Sequence, residues 1–306
     1  MIWLALAVAC SLSIAVLFKV AERRDLDRTA LLTVNYAAAA ALALGLQGVE
    51  AVGPVPAGLV ALGVGQGVLF IGGFWLFALA IRRAGMGLAS GVMRLSVVVP
   101  FLASWAVWDE APTGLQLVGL ALAGGAFFLV ARPAAEPPGK LGPPADAVPA
   151  EGAPAAASGD GASGARTAAV LAFLFLSGGV VDVNMKVFQE AFAASVPISA
   201  FLLFVFGVAF AVGAAAVGAV GVRTGRWPRG EVLGWGVALG LVNYGSAEFL
   251  LRALRVLPGP VAFPANSVAI VFGAALIGRA VWGERLSRAN LAGLGLAGAA
   301  LVLLAG

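Results

Sequence analysis

Long apolar runs recur along the whole chain between short polar corners. Ten such runs fit, with approximate limits 2–20, 30–47, 56–80, 87–107, 114–132, 167–187, 197–222, 232–254, 260–280 and 288–305. Each approaches the ~20 residues that a helix needs to cross ~30 Å of hydrocarbon. Since lipid offers the backbone no hydrogen-bond partner, and the runs are too long for barrel strands, every run is expected to be helical. The pattern predicts an all-α, polytopic membrane protein with ten transmembrane helices.

A stretch rich in Pro, Ala and Gly, residues 133–166, separates the fifth run from the sixth. Because this composition cannot bury a core, we expect a disordered linker. The linker divides the chain into two five-helix repeats, 1–132 and 167–306. Five is an odd number, so the second repeat must lie upside down in the membrane relative to the first. The sequence therefore predicts an inverted-topology repeat.

The two predicted repeats end in nearly the same segment. Ala106–Ala131 and Ala280–Ala305 align without a gap and share 13 of 26 residues. The shared set includes Trp108/Trp282, Glu110/Glu284, Gly119/Gly293 and Ala123/Ala297. Chance matching of Leu, Ala and Gly explains part of this likeness, but Trp and Glu are rare here, which indicates an internal duplication. Repeats of this size in an apolar chain are typical of transporters.

Composition excludes several other classes of protein. Of the 306 residues, 61% are hydrophobic and 11% are charged, and there is no His and one Cys, Cys10. A disulfide framework and a His- or Cys-ligated metal site are therefore excluded. There is no P-loop of the GxxxxGK[ST] type and no His base, so we predict neither an ATP motor nor an enzyme, and no cofactor or metal. Gly63, Gly65 and Gly67 lie in an apolar run with no preceding strand, so helix packing explains them better than dinucleotide binding.

Basic residues are unequally divided between the two sets of loops. Loops after odd-numbered runs, with the linker, hold 15 Lys and Arg, and loops after even-numbered runs hold at most three: Lys186, Arg252 and Arg255. The positive-inside rule then places the odd-numbered loops in the cytoplasm and both termini outside. The net charge of +4 is thus an orientation signal and does not indicate a nucleic-acid partner.

Charged residues inside the runs are the first candidates for a functional site, because a charge in hydrocarbon costs at least ~2.5 kcal/mol. Arg94 lies about one-third into the fourth run, with no acid within a turn and with Pro100 following to kink the helix. Its partner is expected on another helix, and Glu248 and Asp182 are the candidates. A static ion pair, anion recognition and gating remain alternative roles.

Two acid–base pairs have the i, i+4 spacing of helical ion pairs. Glu248 lies on one stripe of the eighth run with Tyr244 and Arg252, and either forms a neutral pair with Arg252 or binds a solute or proton. Asp182 and Lys186 repeat this spacing in the sixth run, where we expect a structural pair with Lys186 extending to the interface. Lys19 is its expected counterpart at the opposite face.

Amide and proline residues complete the candidate site. Asn266 follows Pro264 in the ninth run, where prolines leave backbone carbonyls without helical donors. Asn243, with Asn35 and Tyr36, either lines the same cavity or bonds between helices, and the second is favoured for Asn35 and Tyr36.

Corner residues have simpler expected roles. Trp108 and Trp282 are typical of aromatic belts, and Glu110 and Glu284 are expected to cap the helices that follow them. The small residues of the duplicated segment suit close packing, either within the chain or in a dimer.

The Trp-Asp-Glu and Trp-Gly-Glu corners, each followed by a Gly/Ala-rich last run, resemble those of EamA-type drug/metabolite transporters. The resemblance covers both halves and is strongest at 74–131 and 248–305. A bacterial subgroup of undefined substrate is similar at Phe18-Lys19, Val34-Asn35-Tyr36, Arg94-Leu95-Ser96, Asp182 with Lys186 and Gln189, and Asn243-Tyr244-Gly245-Ser246. The resemblance implies ten spans, a monomer or homodimer, and alternating access without ATP hydrolysis. It also implies cytoplasmic termini, opposite to the charge count.

These observations predict a multi-pass inner (plasma) membrane protein that moves a small polar metabolite or drug-like solute as a secondary-active transporter. Its partners are the solute, protons that Glu248 could couple, and membrane lipid. Predicted substrate-binding residues are Arg94, Glu248, Asn266, Asn243, Tyr244 and Asp182. Predicted structural or gating residues are Lys186, Arg252, Pro100 and Pro264. A passive channel or a non-transporting membrane scaffold are the alternatives.

Overall fold

The computed structural model describes residues 1–47, 54–130, 161–225, 227–283 and 286–305. Throughout these ranges the chain forms α-helices and no strands, which confirms the all-α prediction. Eleven helices are present in the described chain: α1 Ile2–Arg23, α2 Arg28–Gln47, α3 Ala57–Ala84, α4 Met86–Leu95, α5 Val98–Trp108, α6 Gly114–Val130, α7 Gly161–Ala191, α8 Ile198–Thr224, α9 Glu231–Leu254, α10 Gly259–Trp282 and α11 Arg288–Ala305.

Most of these helices have the length and composition of membrane spans. Within the described ranges seven are long and apolar enough to cross a membrane, when α4 and α5 are counted as one segment, Leu88–Trp108. The apolar helices α6 and α11 are shorter. Helix α9 has 24 residues and carries Glu231, Glu248 and Arg252. Within the described ranges, each predicted apolar run therefore forms helix over nearly all of its length, as expected of a membrane protein.

The sixth run begins earlier than predicted. Helix α7 starts at Gly161 and is 31 residues long, so the predicted linker, 133–166, extends too far at its C-terminal end. An apolar run marks only the part of a helix that suits hydrocarbon, whereas a helix of this length extends about 46 Å, well beyond the ~30 Å core. The disorder predicted for 133–160 lies outside the described residues.

The fourth run is two helices rather than one. Helix α4 ends at Leu95 and α5 begins at Val98, but Ser96 and Val97 between them keep helical backbone angles, so the kink predicted at Pro100 is a break in the helical hydrogen-bond pattern one turn earlier and not an interruption of the span. Proline has no N–H, and its ring collides with the carbonyl four residues before it, here that of Ser96. The Ser96 carbonyl instead accepts a hydrogen bond from the Val99 N–H at 3.0 Å. Helix α10, by contrast, continues through Pro264.

Helices α6 and α11, which hold the duplicated segment, pack against each other. Gly119 near the start of α6 faces Leu304 at the end of α11, and Gly293 near the start of α11 faces Leu129 at the end of α6. The two helices are therefore antiparallel. The alanine one turn after each glycine is fully buried. Of the two uses predicted for these small residues, packing within the chain is the one that the structure contains.

The neighbours of each helix follow one rule across the two halves of the chain. Helix α1 packs on α9 and α7 packs on α3; α2 packs on α9 and α8 packs on α3; α1 contacts α10 and α7 contacts α5. These contacts form pairs. If the helices α1 to α6 are exchanged in order with α7 to α11, with α4 and α5 counted as one helix, each contact is converted into the other contact of its pair. The first three helices of each half are thus buried largely against the opposite half, and the interior of the bundle lies between the halves.

Glycines bring the central helices into close contact. A Cβ placed on Gly67 of α3 would lie 2.5 Å from the Val205 carbonyl oxygen of α8, and one on Gly240 of α9 would lie 2.4 Å from the Asn35 carbonyl oxygen of α2. These distances are far below van der Waals contact, so only glycine fits. The packing explanation for the glycines of α3 is confirmed at Gly67.

Gly67→Ala is expected to lower the free energy of unfolding by about 1–3 kcal/mol, the usual cost of overpacking. Gly65→Ala, two residues away in the same helix, is the matched control, because a Cβ there meets nothing within 4 Å. Ala is favoured over Gly by up to ~1 kcal/mol in a helix. The control should therefore unfold at or above the wild-type temperature in detergent. Equal melting temperatures for both variants would contradict the packing shown here.

Candidate functional site

The site is centred on the break between α4 and α5, where that break meets α7. Arg94 is the next-to-last residue of α4. A Cβ on Gly178 of α7 would lie within 3.2 Å of the Ser96 side chain, and one on Gly179 within 2.8 Å of the Val99 side chain. Asp182 lies one helical turn beyond Gly178 and so projects from the same face of α7. The missing side chains at these glycines thus bring Asp182 close to the end of α4.

Arg94 and Asp182 attract each other without touching. Each lies within electrostatic range of the other. Their charged atoms are nevertheless more than 4.0 Å apart, and among the described residues neither side chain has a hydrogen bond. Both are half-buried. A dry, unpaired charge inside a protein costs several kcal/mol, so the attraction between these two side chains offsets part of the cost of placing each of them inside the bundle. Of the two partners predicted for Arg94, the structure selects Asp182.

Glu248 already has a bonded partner. The Arg252 Nε donates a hydrogen bond to the Glu248 Oε1 at 2.9 Å, and the Arg252 guanidinium lies 5.1 Å over the ring of Trp3. The Glu248 side chain is 14% exposed and that of Arg252 is 40% exposed. The predicted i, i+4 pair is confirmed. Because Arg252 occupies this carboxylate, Glu248 is less free than Asp182 to bind a solute.

Lys186 pairs with other acids than the one predicted. Its side chain is only 1% exposed, and its Nζ lies 2.6 Å from an oxygen of Glu110 and 2.6 Å from one of Glu190. The expected pair with Asp182 is wrong, and the Lys186 side chain reaches the carboxylates of Glu110 and Glu190 near the end of α7. Two carboxylates attract the ammonium group more strongly than one, and Glu110, 76 positions away in the sequence, is out of reach of a local spacing rule.

Glu110 joins the first half of the chain to the second. One of its oxygens accepts from Lys186, and the other accepts a hydrogen bond from the Gly259 N–H at 2.7 Å. Gly259 is the first residue of α10, and the N–H groups at a helix start lack internal acceptors and carry partial positive charge. Glu110 therefore caps α10, and the prediction that it caps the helix that follows it, α6, is wrong. Helix α6 is capped instead by reciprocal bonds between Thr113 and Gln116. Glu284 lies outside the described residues.

Lys19 and Lys186 make related contacts. The Nζ of Lys19, near the end of α1, lies 4.4 Å over the ring of Trp282, and that of Lys186 lies 5.9 Å from the ring of Trp108. Each lysine belongs to the first helix of one half and reaches the tryptophan that ends the fourth run of the other half. The predicted equivalence of the two lysines agrees with these contacts, and both tryptophans have a partner beyond an aromatic belt.

Three predicted site residues remain: Asn243 and Tyr244 make contacts between helices, and Asn266 has a buried polar atom without a bonded partner in the described chain. The Asn243 Nδ2 donates to the Asn35 Oδ1 at 3.2 Å, so the interhelical alternative is confirmed for this pair. Tyr244 is buried, with its ring 6.3 Å from that of Phe206. The Asn266 Oδ1 is buried and has no hydrogen-bond partner in the part of the chain that the structure describes. Asn266 therefore keeps an acceptor free.

Gln66 is a site residue that the sequence analysis missed. Its side chain is fully buried, and its Nε2 donates to the Val181 carbonyl at 3.0 Å. Its Oε1 accepts from the Asn184 Nδ2, also at 3.0 Å. These two bonds hold α7 on both sides of Asp182, which makes Gln66 a positioning residue. The signal in the sequence was an amide inside a glycine-rich apolar run, where a buried polar group needs hydrogen-bond partners.

Comparisons with known proteins show the fold and no more. No protein-family model matches the chain. The chain is 21% identical to an uncharacterised protein of Haemophilus influenzae, over 94% of this chain and 92% of that protein. A protein of known crystal structure is similar with a TM-score of 0.72 and 14% identity, over 99% of this chain and 94% of the other. The described architecture therefore has a full-length counterpart among solved structures.

Proposed function

We propose that this protein is a secondary-active transporter that moves a small polar solute across the inner membrane by alternating access. The observation that carries the proposal is the unbonded pair of Arg94 and Asp182 beside the break between α4 and α5. Transporters bind their solutes where helices are interrupted inside the membrane. Ionisable residues within apolar helices, kept accessible, mark such pathways.

The proposal includes ten transmembrane helices arranged as two inverted five-helix repeats. It is supported by the antiparallel packing of α6 on α11, which carry the same duplicated segment, and by the exchange of helix neighbours between the halves. The Trp-x-Glu corner of each half further supports membership among EamA-type drug/metabolite transporters. With the charge count, the positive-inside rule places the Trp282 end of α10 in the cytoplasm.

Alternating access requires contacts between the halves that form and break at opposite ends of the pathway. Glu110 binds Lys186 and the start of α10 at one end. Lys19 lies over Trp282 at the other end of α10, 24 residues and about 35 Å away. We assign these two contacts as the gates of the proposed cycle.

Counterflow in proteoliposomes tests the proposal. Vesicles with the purified protein are preloaded with one unlabelled probe from a panel of amino acids, nucleosides, sugars, polyamines and cationic drugs, and the labelled form is added outside. For at least one probe we expect transient accumulation that saturates with concentration. A passive channel cannot produce counterflow, and a scaffold produces no flux. Flux equal to that of protein-free vesicles, or flux that never saturates, would exclude the proposal.

A further inference from the structure

We propose that the Glu110 gate opens by an exchange of partners, in which Lys186 stays with Glu190 and the Glu110 carboxylate turns to the Ser104 hydroxyl. The Glu110 gate is the contact of that carboxylate with Lys186 and with the N–H of Gly259. The inference rests on the proposed function, since it concerns one of the two gates. It goes beyond that function in assigning Glu190 and Ser104 as the residues that stabilise the open gate.

Lys186 has a second carboxylate on its own side of the gate. Its Nζ lies 2.6 Å from an oxygen of Glu110, in the first half of the chain, and 2.6 Å from one of Glu190, in the second half. Glu190 follows Lys186 by one turn of α7, so the two move together when the halves separate. The Lys186 side chain is 1% exposed, and an ammonium group left there without any carboxylate would be costly. Glu190 removes that cost from the opening of the gate.

Glu110 has an unused partner on its own side. The Ser104 side chain is fully buried, and its hydroxyl has no hydrogen-bond partner in the part of the chain that the structure describes. Ser104 moves with Glu110, because the Glu110 N–H donates to the Ser104 carbonyl at 3.2 Å. A Cβ placed on Gly259 would lie 2.0 Å from the Ser104 Oγ and 3.1 Å from the Glu110 Oε2, so hydroxyl and carboxylate lie beside the same residue.

This unbonded hydroxyl distinguishes the exchange from a simple rupture of the contact. A buried hydroxyl without a partner is uncommon and destabilising. A hydrogen bond from the Ser104 hydroxyl to Glu110 in the open gate accounts for its presence here, because the carboxylate then lacks both of the donors that the second half supplies. Each side of the gate thus carries a replacement partner for the charge that it exposes.

The exchange gives the residues of the gate opposite effects. Gly259→Ala should favour the open gate, because its Cβ would overlap the Ser104 Oγ in the closed one. Glu190→Gln and Ser104→Ala should instead favour the closed gate, because each removes a partner that is needed on opening.

Distances across the gate test the assignment. Spin labels are attached to Ala111→Cys, beside Glu110, and to Val256→Cys, just before α10, and both positions are exposed. The background is Cys10→Ser, since the chain has one cysteine. Double electron–electron resonance on the full chain in liposomes then gives the ratio of long to short distances between the labels, which is the ratio of open to closed gates.

We expect Gly259→Ala to raise this ratio by about threefold or more, and Glu190→Gln or Ser104→Ala, added to it, to lower the ratio again by about threefold or more. A threefold change is smaller than the effect of one ordinary hydrogen bond at the upper end of its range. Both substitutions are also made in the wild-type chain, so the test does not depend on the folding of Gly259→Ala. Glu231→Gln, at an exposed carboxylate at the start of α9, is the control and should leave the ratio unchanged.

The sign of the change decides the outcome. If Glu190 and Ser104 only strengthened the closed corner, their loss would raise the ratio, and that result, or an unchanged ratio, overturns the assignment. Saturable counterflow by a protein that gives either of those results would leave the proposed function standing. The expected ratios in a protein that shows no flux would support the exchange of partners and exclude transport.

Discussion

Glu110→Ala is expected to lower the free energy of unfolding by about 2–5 kcal/mol, more than other substitutions at the polar corners. The change removes one of the two carboxylates that neutralise Lys186, whose side chain is 1% exposed. It also removes the acceptor of the Gly259 N–H at the start of α10. Glu190 still pairs with the ammonium group after this change, so the cost comes from losing two charge-assisted hydrogen bonds of the Glu110 carboxylate, one to each half of the chain, which water replaces poorly at this partly buried corner.

The control for Glu110→Ala is Glu190→Ala. Glu190 bonds to the same ammonium group, but its side chain is 41% exposed, and such pairs contribute about 0–1 kcal/mol. Thermal unfolding in detergent of both variants should separate them clearly. Glu110→Gln combined with Lys186→Met should recover much of the loss, because removing both charges of a buried pair is often close to neutral. Equal destabilisation by the two alanine variants would mean that the Glu110 corner does not hold the halves together.

Much of this fold was predictable because the membrane imposes one strong length rule. Helix positions followed from apolar runs. The irregular turn near Ser96 was predicted as a kink at Pro100, because the effect of a proline on the preceding turn is local. Where the sequence analysis misplaced a boundary, at Gly161, the helix continued beyond the apolar run into residues whose composition suited a linker. Hydropathy does not detect such an extension.

Contacts between the halves were much harder to predict. A spacing rule offered Asp182 as the partner of Lys186, whereas the structure places Lys186 against Glu110 and Glu190. Similarly, nothing local pairs Gln66 with Asn184, because their bond requires α3 and α7 to be neighbours. The long-range pairing of Arg94 with Asp182 came from the cost of a lone charge and not from spacing. An unpaired charge in an apolar helix is informative because its high cost in hydrocarbon requires a partner or a function.

Arg94→Gln and Asp182→Asn are each expected to reduce the transport rate at sub-saturating solute by about 30-fold or more. Each side chain is expected to form a hydrogen-bonded contact with the bound solute, and removing one such desolvated contact costs about 2–5 kcal/mol, of which 2 kcal/mol corresponds to about 30-fold. The rate is measured in proteoliposomes with the solute that counterflow identifies, and each variant is first checked for a wild-type melting profile. Glu231→Gln should transport at the wild-type rate, since Glu231 is an exposed carboxylate at the start of α9 and belongs to neither gate.

The double variant Arg94→Gln/Asp182→Asn separates a solute site from a packing pair. If the two charges served only to neutralise each other, removing both would relieve the charge that each single variant leaves behind, and flux would return towards the wild-type rate. A bound solute gives the opposite result, because both of the groups that recognise it are gone. We expect the double variant to transport no faster than the slower single variant. Recovery of flux in the double variant would make Arg94 and Asp182 structural residues and move the site elsewhere between the halves.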